Sequence, residues 1–565
     1  MLGEVDVRPL ENRLNVNGRR VRIEPKSMEV LLALAEADGR TLGREALVAR
    51  VWPRGFVSDD ALNRCVSQLR SALGDTARAP SFIATVPRVG YRLLKPVEPF
   101  GDDSPAQGAL VLPFQSLAAR DSAYIADGLT ELLIARLSVA LDRPVISRTT
   151  AMTFRNTDRD LPSIARQLGV RWVVEGSVLQ VDERIQIVVQ LIDAVNDTHV
   201  WAETWTRDVG DLLTVLNEIS RQVAGRISRR LAPPAATRGQ SPAGLSAELL
   251  RQYLHGIQLN SRRTHDALRQ ASACFERVLA AEPGHAPALS GLSMSNFLLA
   301  HYGAVAPGEG FVKARQCAEQ ALELDPDLAE AKIHLAAVEF HHDWNFDHAE
   351  RLVDEGLGAN PGLEMGLLLS ANIYAVSGRF ELAQACIDRA LQIDPLNIGI
   401  LMNAGDHLIL QRRYGEAVAM LDTALELSDR FRPGCLRLSL AHALNGAPAA
   451  AARALERARE LGGEDPPYLE YLALAQGQAG SVGEARRAAG RLQAMADDGV
   501  QLLAWSLARA WAAAGDEDRA LESLESAFRE RSSSMPFLGI TPVFDELRER
   551  PEARALMDRV GLRVP

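Results

Sequence analysis

Arg64, Ser67, Gln68, Arg70 and Ser71 lie in one short polar set interleaved with Leu62, Val66, Leu69 and Leu73. The apolar members follow an i, i+4, i+7, i+11 spacing, which predicts a helix over 59–73 with one buried face. The polar members then occupy the remaining arc. Guanidinium, amide and hydroxyl groups there can bond phosphate oxygens and base edges. Just downstream, residues 83–92 alternate in polarity and end in Gly90-Tyr91-Arg92, which predicts a β-hairpin carrying Arg88 and Arg92. A helix beside a hairpin, both bearing arginines, is a common grip on duplex DNA. The helix enters the major groove and the hairpin reaches a flanking backbone or groove.

Upstream, a polar–apolar strand region with Arg8, Arg19 and Arg20 precedes helices predicted over 27–37 and 44–52. Those three arginines are expected to be exposed rather than DNA-bound. With the segment Thr85-Val86-Pro87-Arg88-Val89-Gly90-Tyr91-Arg92, residues 1–97 resemble the OmpR/PhoB-type winged helix. The segment departs from the response-regulator form, where Arg-Gly follows Thr-Val, and matches the form in membrane-linked and tetratricopeptide-linked members. The resemblance implies that helix 59–73 docks in the major groove. Arg64, Ser67, Gln68 and Ser71 are then the candidates for base and phosphate contacts. Arg70 and Arg88 would meet phosphates, with Arg88 or Arg92 on the wing near the minor groove. Cys65, on the same helix, reads as a small filler.

Length and charge set the wider organisation. A chain of 565 residues is too long for one core and predicts three or more domains. Residues 1–97 hold 16 Lys/Arg against 11 Asp/Glu, a net +5, so the remainder holds −16 of the overall −11. A basic module on an acidic body concentrates phosphate attraction where the hairpin and helix lie. The five cysteines, at 65, 274, 317, 386 and 435, form no CxxC and suggest a reducing compartment. No apolar run of about 18 residues occurs, so a soluble, cytoplasmic protein without a membrane span is expected.

Residues 98–108 read as a polar linker, and the pattern then changes to alternating strands and helices over 109–231. Strands are predicted at 109–114 and 144–148, helices at 123–140, 161–168 and 212–231, and a hairpin from 172–180 and 184–193 turning at Asp182-Glu183. The phrases LPF, YIADGLTELL, LGVRWVVEGSV, IQIVVQLIDA and HVWAETW resemble the TolB N-terminal-like module, which implies no assignable activity. Asp127 and Glu175 invite a catalytic reading, but Asp127-Gly128 reads better as a turn or helix entry. Trp201 and Trp205 read as packing. Residues 232–246, with three prolines and small polar residues, form a second linker.

Beyond 247 the chain repeats. Alanines at 314, 349, 383, 417, 451, 485 and 520 recur at intervals of 34 or 35 residues, and Ala271 heads a further unit. The excess before Ala314 is assigned to a loop over 303–310. A period of 34 with helix–turn–helix text resembles the tetratricopeptide repeat over 247–531, with a cap at 532–565. The resemblance implies about eight units whose concave face takes a protein, a peptide or an effector. His341, His342, Asp343, Asp347 and His348 have ligand types for Zn²⁺ or Ni²⁺. Their position between two helices of one repeat instead predicts a solvated polar turn.

No phosphate-binding loop, dinucleotide fingerprint, zinc-protease helix or nucleophile elbow is present in the text. The expected fold is multidomain, α+β and all-α: a winged helix-turn-helix, a small α/β domain and an α-solenoid of tetratricopeptide repeats. The expected function is a one-component bacterial transcriptional regulator rather than an enzyme, with no cofactor and no metal. Its partners would be duplex DNA, a protein or peptide on the array, RNA polymerase and a second copy on DNA. The alternative is an interaction scaffold whose winged helix makes protein contacts.

Overall fold

The computed structural model describes residues 5–8, 13–16, 19–37, 39–51, 59–76, 80–87, 89–95, 108–117, 123–141, 144–155, 160–181, 184–208, 211–229, 245–500 and 502–562. The chain forms two compact units, residues 1–106 and 107–565.

The first unit opens with an antiparallel sheet of β1 (Asp6–Arg8), β2 (Arg13–Val16) and β3 (Arg19–Arg22). The side chains of Arg8, Arg19 and Arg20 lie outside the described set. Helix α1 (Pro25–Glu36) starts two residues earlier than the periodicity predicts, because a proline fits the first helical position, where no N–H bond is lost. The two-residue strand β4 (Leu42–Gly43) leads into α2 (Arg44–Val51) and α3 (Asp59–Leu73), and β5 (Ile83–Val86) and β6 (Gly90–Leu93) form the hairpin. The second sheet has the order β4-β6-β5. Leu62, Val66, Leu69 and Leu73 are buried as their spacing predicts, against Met28, Leu31, Leu34 and Leu47 of α1 and α2. Cys65 is buried in the same core.

The second unit begins with β7 (Gly108–Val111), β8 (Gln115–Ser116), α4 (Ala123–Ala140), α5 (Arg148–Met152), α6 (Leu161–Leu168), β9 (Val170–Val181), β10 (Arg184–Asp193), β11 (Thr198–Asp208) and α7 (Leu212–Arg229). Its sheet runs β11-β10-β9-β7, with β8 also beside β9; β7 and β8 are parallel to β9 and the rest antiparallel. Residues 182–183, the expected hairpin turn, lie outside the described set, and Val181 pairs with Arg184 on either side of them.

Two expectations are corrected here, and one strand is added. The strand at 144–148 is only a single bridge, Val145 to Ala109, because Ser147 caps α5 by accepting from Thr149 N at 3.2 Å. Strand β11 was marked only by its tryptophans: it is an edge strand, exposed along most of its length, so it lacks clean apolar alternation. Asp127 and Gly128 lie inside α4, not at its entry. Asp127 pairs with Arg155 and accepts from Gln258 Nε2 at 3.1 Å, while Gly128 faces Leu254 so closely that a Cβ would come within 2.8 Å of it. Trp201 and Trp205 do pack on each other, edge to face at 5.6 Å.

Among the described residues, eight helix pairs follow: α8 (Ala247–Ser261) with α9 (His265–Ala281), α10 (Ala286–His301) with α11 (Pro307–Leu324), and α12 (Ala329–Val338) with α13 (Phe346–Ala359). Then come α14 (Glu364–Val376) with α15 (Phe380–Ile393), α16 (Ile398–Leu410) with α17 (Tyr414–Leu427), and α18 (Arg432–Leu444) with α19 (Pro448–Gly462). The last two are α20 (Pro466–Gln478) with α21 (Val482–Asp497), and α22 (Ala504–Ala513) with α23 (Glu517–Arg529), before the final helix α24 (Pro551–Val560). Every one of the periodic alanines is buried on the second helix of its pair, where a small side chain lets neighbouring helices approach. The residues before Pro283, Pro326, Pro361 and Pro395 take extended φ values between −128° and −138° and end their helices. The excess before Ala314 is not a loop over 303–310. Pro307, Gly308 and Gly310 are in α11, which begins at that proline.

The array closes on itself. The segment Met535–Phe544 returns to the turns of the third and fifth pairs. Phe537 meets Phe340 at 5.9 Å, Ser533 O lies 2.9 Å from His341 Nδ1, and Arg412 Nη1 donates to Ile540 O at 2.8 Å. Arg531 lies over the Trp344 ring at 4.4 Å. The histidine cluster is therefore a packed π-helical turn, Glu339–Asp343, rather than a solvated one. Asp343 and Glu339 are paired with Arg315, and His348 Nδ1 lies 3.1 Å from Glu339 Oε1. Among the described residues, no group of three or more His, Cys, Asp or Glu is arranged to hold a metal. No described helix is long and apolar enough to cross a membrane.

The α/β layer is bonded to the array within the same unit. The Ser147 and Thr150 hydroxyls both donate to the Asp394 carboxylate, and Leu396 N donates to Thr150 Oγ1 at 3.2 Å.

Candidate nucleic-acid interface

The buried stripe of α3 fixes which side chains point outward. Asn63, Arg64, Ser67 and Ser71 are exposed, spaced at i, i+1, i+4 and i+8, so they form one accessible strip of donors. The Arg64 side chain is 80% exposed; Glu24 lies 3.6 Å away at the surface, a pairing that contributes little in water. Arg64 is therefore available to a phosphate or a guanine edge.

Gln68 and Arg70 are held inside the domain. Gln68 Oε1 accepts from Ser27 Oγ and from Glu24 N at 3.3 Å, which joins α3 to the start of α1. Arg70 Nη2 donates to Ile83 O at 2.8 Å and Thr85 Oγ1 at 2.9 Å, which joins α3 to β5. Both residues position α3 against its neighbours. Arg92 is exposed on β6, on the opposite face from Tyr91 and Leu93, which are buried. Arg88 lies outside the described residues.

Three residues position these elements; of them the sequence reading marked Gly90 alone, as part of the hairpin. Asp75, just past α3, accepts backbone N–H bonds from Thr76, Ser81, Phe82 and Ile83 at 2.9, 2.6, 3.1 and 2.8 Å. Burial works to raise its carboxyl pKa, but the four N–H bonds outweigh burial and hold it below the usual carboxylate range. Gly90 faces β4 so tightly that a Cβ would sit 1.8 Å from Leu42 O. Arg44 donates to Asn63 Oδ1 at 3.1 Å and to Tyr91 Oη at 2.9 Å, with its guanidinium 5.2 Å from the Tyr91 ring centre. An aspartate after a helix has many ordinary uses, so only the closed hydrogen-bond set identifies Asp75.

Comparisons with known proteins agree with this geometry. Residues 18–93 match the family model "Transcriptional regulatory protein, C terminal", so this segment is a DNA-binding domain of that type. The chain is 37% identical over 97 residues to the transcriptional activator CadC of Escherichia coli, covering 17% of this chain and 19% of that protein. It is 24% identical over 400 residues to the transcriptional regulator HilA of Salmonella typhi, covering 68% of this chain and 69% of that one. It is 30% identical over 223 residues to a Rhizobium meliloti protein provisionally assigned as adenylate cyclase 3, covering 38% of this chain and 37% of that protein. The chain thus spans well under half the length of two of these three relatives.

Proposed function

We propose that this protein is a one-component transcriptional regulator that binds duplex DNA through α3 and the β5–β6 wing. The exposed donor strip Asn63-Arg64-Ser67-Ser71, on a helix clamped to its wing by Arg70 and Asp75, carries the reading. Arg64, Ser67 and Ser71 contact bases or adjacent phosphates, and Arg92 with Arg88 contacts the flanking backbone or minor groove. The α/β layer and the repeat array receive a protein or peptide partner, with RNA polymerase as one candidate, in the cytoplasm. Binding as a dimer belongs to the same proposal. The reading assigns the chain no catalytic step.

Selection of bound fragments from the source genome by the full chain tests this, beside an Arg64→Ala, Ser67→Ala double variant. A shared motif recovered by the parent and altered in the variant supports the regulator. Recovery of fragments with no common sequence by both proteins supports the scaffold reading instead.

A further inference from the structure

Asn63 is held in a way that removes half of its hydrogen-bonding capacity. Its Oδ1 accepts from Arg44 Nη1 at 3.1 Å and from the Tyr91 hydroxyl at 2.9 Å. The Tyr91 hydroxyl itself accepts from Arg44 Nη2 at 2.9 Å, so its single proton is directed at Asn63. The three side chains close a triangle of hydrogen bonds. A guanidinium has donors and no acceptor, so the amide atom facing Arg44 must be the oxygen and the amide orientation is fixed by chemistry. A carbonyl oxygen offers two acceptor sites, and both are used. The two Nδ2 donors are what this exposed residue presents on the strip it shares with Arg64, Ser67 and Ser71.

The triangle is anchored by backbone as well. Arg44 N donates to Val89 O at 3.2 Å, and Tyr91, buried in the domain core, pairs with Leu42 across β4 and β6. The amide is therefore preorganised by the wing before any DNA arrives.

We propose that Asn63 is a donor-only base reader that favours guanine over adenine at one base pair of the bound site; this rests on the DNA-binding reading above. An asparagine ordinarily recognises adenine by donating to N7 while accepting from N6. The second half of that pair is closed to Asn63, because its acceptor is committed to Arg44 and Tyr91. Guanine presents acceptors only on the same edge, N7 and O6, and matches two donors. Arg44 and Tyr91 act as positioning residues whose effect is to set which purine fits.

The test is selection from a randomised duplex pool by the full chain, comparing the parent with Asn63→Ala and Tyr91→Phe. The parent should show one base pair at which guanine exceeds adenine by roughly tenfold or more, the scale of a good side-chain–base contact. Asn63→Ala, a change at an exposed position, should erase that preference and leave the rest of the motif. Tyr91→Phe returns one acceptor site to the amide and should raise adenine at the same position. A parent motif unchanged by Asn63→Ala overturns the inference while the regulator reading stands, and so does a uniform loss at every position. A parent that selects no motif overturns both.

Discussion

Arg70 on the reading helix and Thr85 on the wing are joined directly, Nη2 to Oγ1 at 2.9 Å, with Ile83 O sharing the same nitrogen at 2.8 Å. The bond couples α3 to the wing, the two elements proposed to meet DNA, so Arg70 serves their relative geometry. Arg70→Met should lower stability by about 1–2 kcal/mol, since a charged donor loses two acceptors. It should weaken DNA binding without changing the slope of affinity against salt. Arg92→Ala should do the reverse, leaving the melting temperature in place and lowering that slope by about one unit. Salt titrations of the two variants separate these roles.

Asp75 gives the DNA-binding unit an acid limit. Its folded pKa lies below its unfolded value, so the stability it contributes is present above the unfolded value and is lost as pH falls through the folded one. Acid unfolding of the parent should therefore show a component below about pH 3.9, the unperturbed aspartate value. Asp75→Ala should remove that component and lower stability at neutral pH, because four backbone N–H groups lose their acceptor. An identical acid profile for both proteins would show that the carboxylate is not the clamp.

Gly90→Ala should damage the wing selectively. The added Cβ meets backbone, Leu42 O, which cannot swing aside as a side chain would. The expected cost is about 1–3 kcal/mol, comparable to overpacking a core, with β4 and β6 forced apart. Amide exchange should rise in β4, β5 and β6 while the second unit keeps its protection.

Glu364 and Asp394 add a contribution of the opposite sign in the second unit. Burial raises the Glu364 pKa to about 7, with the neighbouring Asp394 charge adding to it. A raised folded pKa means the stabilisation is complete below the unfolded value, near 4.3, and is lost as pH rises through about 7. Glu131 follows the same direction, also to about 7, through burial first, although Arg148 opposes it. The buried histidines of this unit, among them His301 and His341, are held below the usual imidazole range by burial and act in the opposite sense, so the Glu364 contribution is read by difference. Relative to the parent, Glu364→Gln should gain melting temperature from pH 5 to pH 8, and a parent–variant difference that does not change with pH would remove the claim.

The repeat spacing makes a packing prediction. Ala383 is fully buried at the crossing of its helix pair. Ala383→Leu should cost about 1–3 kcal/mol by overpacking, whereas Ala385→Leu, at an exposed position two residues on, should stay within about 0.5 kcal/mol. Chemical denaturation reads both.

What the sequence made legible was periodic. The alanine interval marked the second helices of the array, and the Leu62-Val66-Leu69-Leu73 spacing gave the buried face of α3 to the residue. The edge strand β11 was missed because Trp205 is its one fully buried residue, with Val200 and Trp201 only partly covered, so apolar alternation is too sparse to report a strand. The closure of Phe537 on Phe340 joins residues nearly two hundred apart, and no local rule reaches that far. Gln68 and Arg70 sit on the exposed arc by helical phase, yet their side chains turn back to α1 and β5. Phase fixes where a residue starts, while the partner fixes where its functional group ends.

The measurement that bears most directly on the central claim is the affinity of the full chain for a selected duplex against a scrambled duplex of the same length, followed across salt concentration. The account predicts a ratio of at least about 10³ near physiological salt, with both affinities falling as salt rises. A ratio near one, with salt dependence alone, would mean that α3 and its wing do not read sequence.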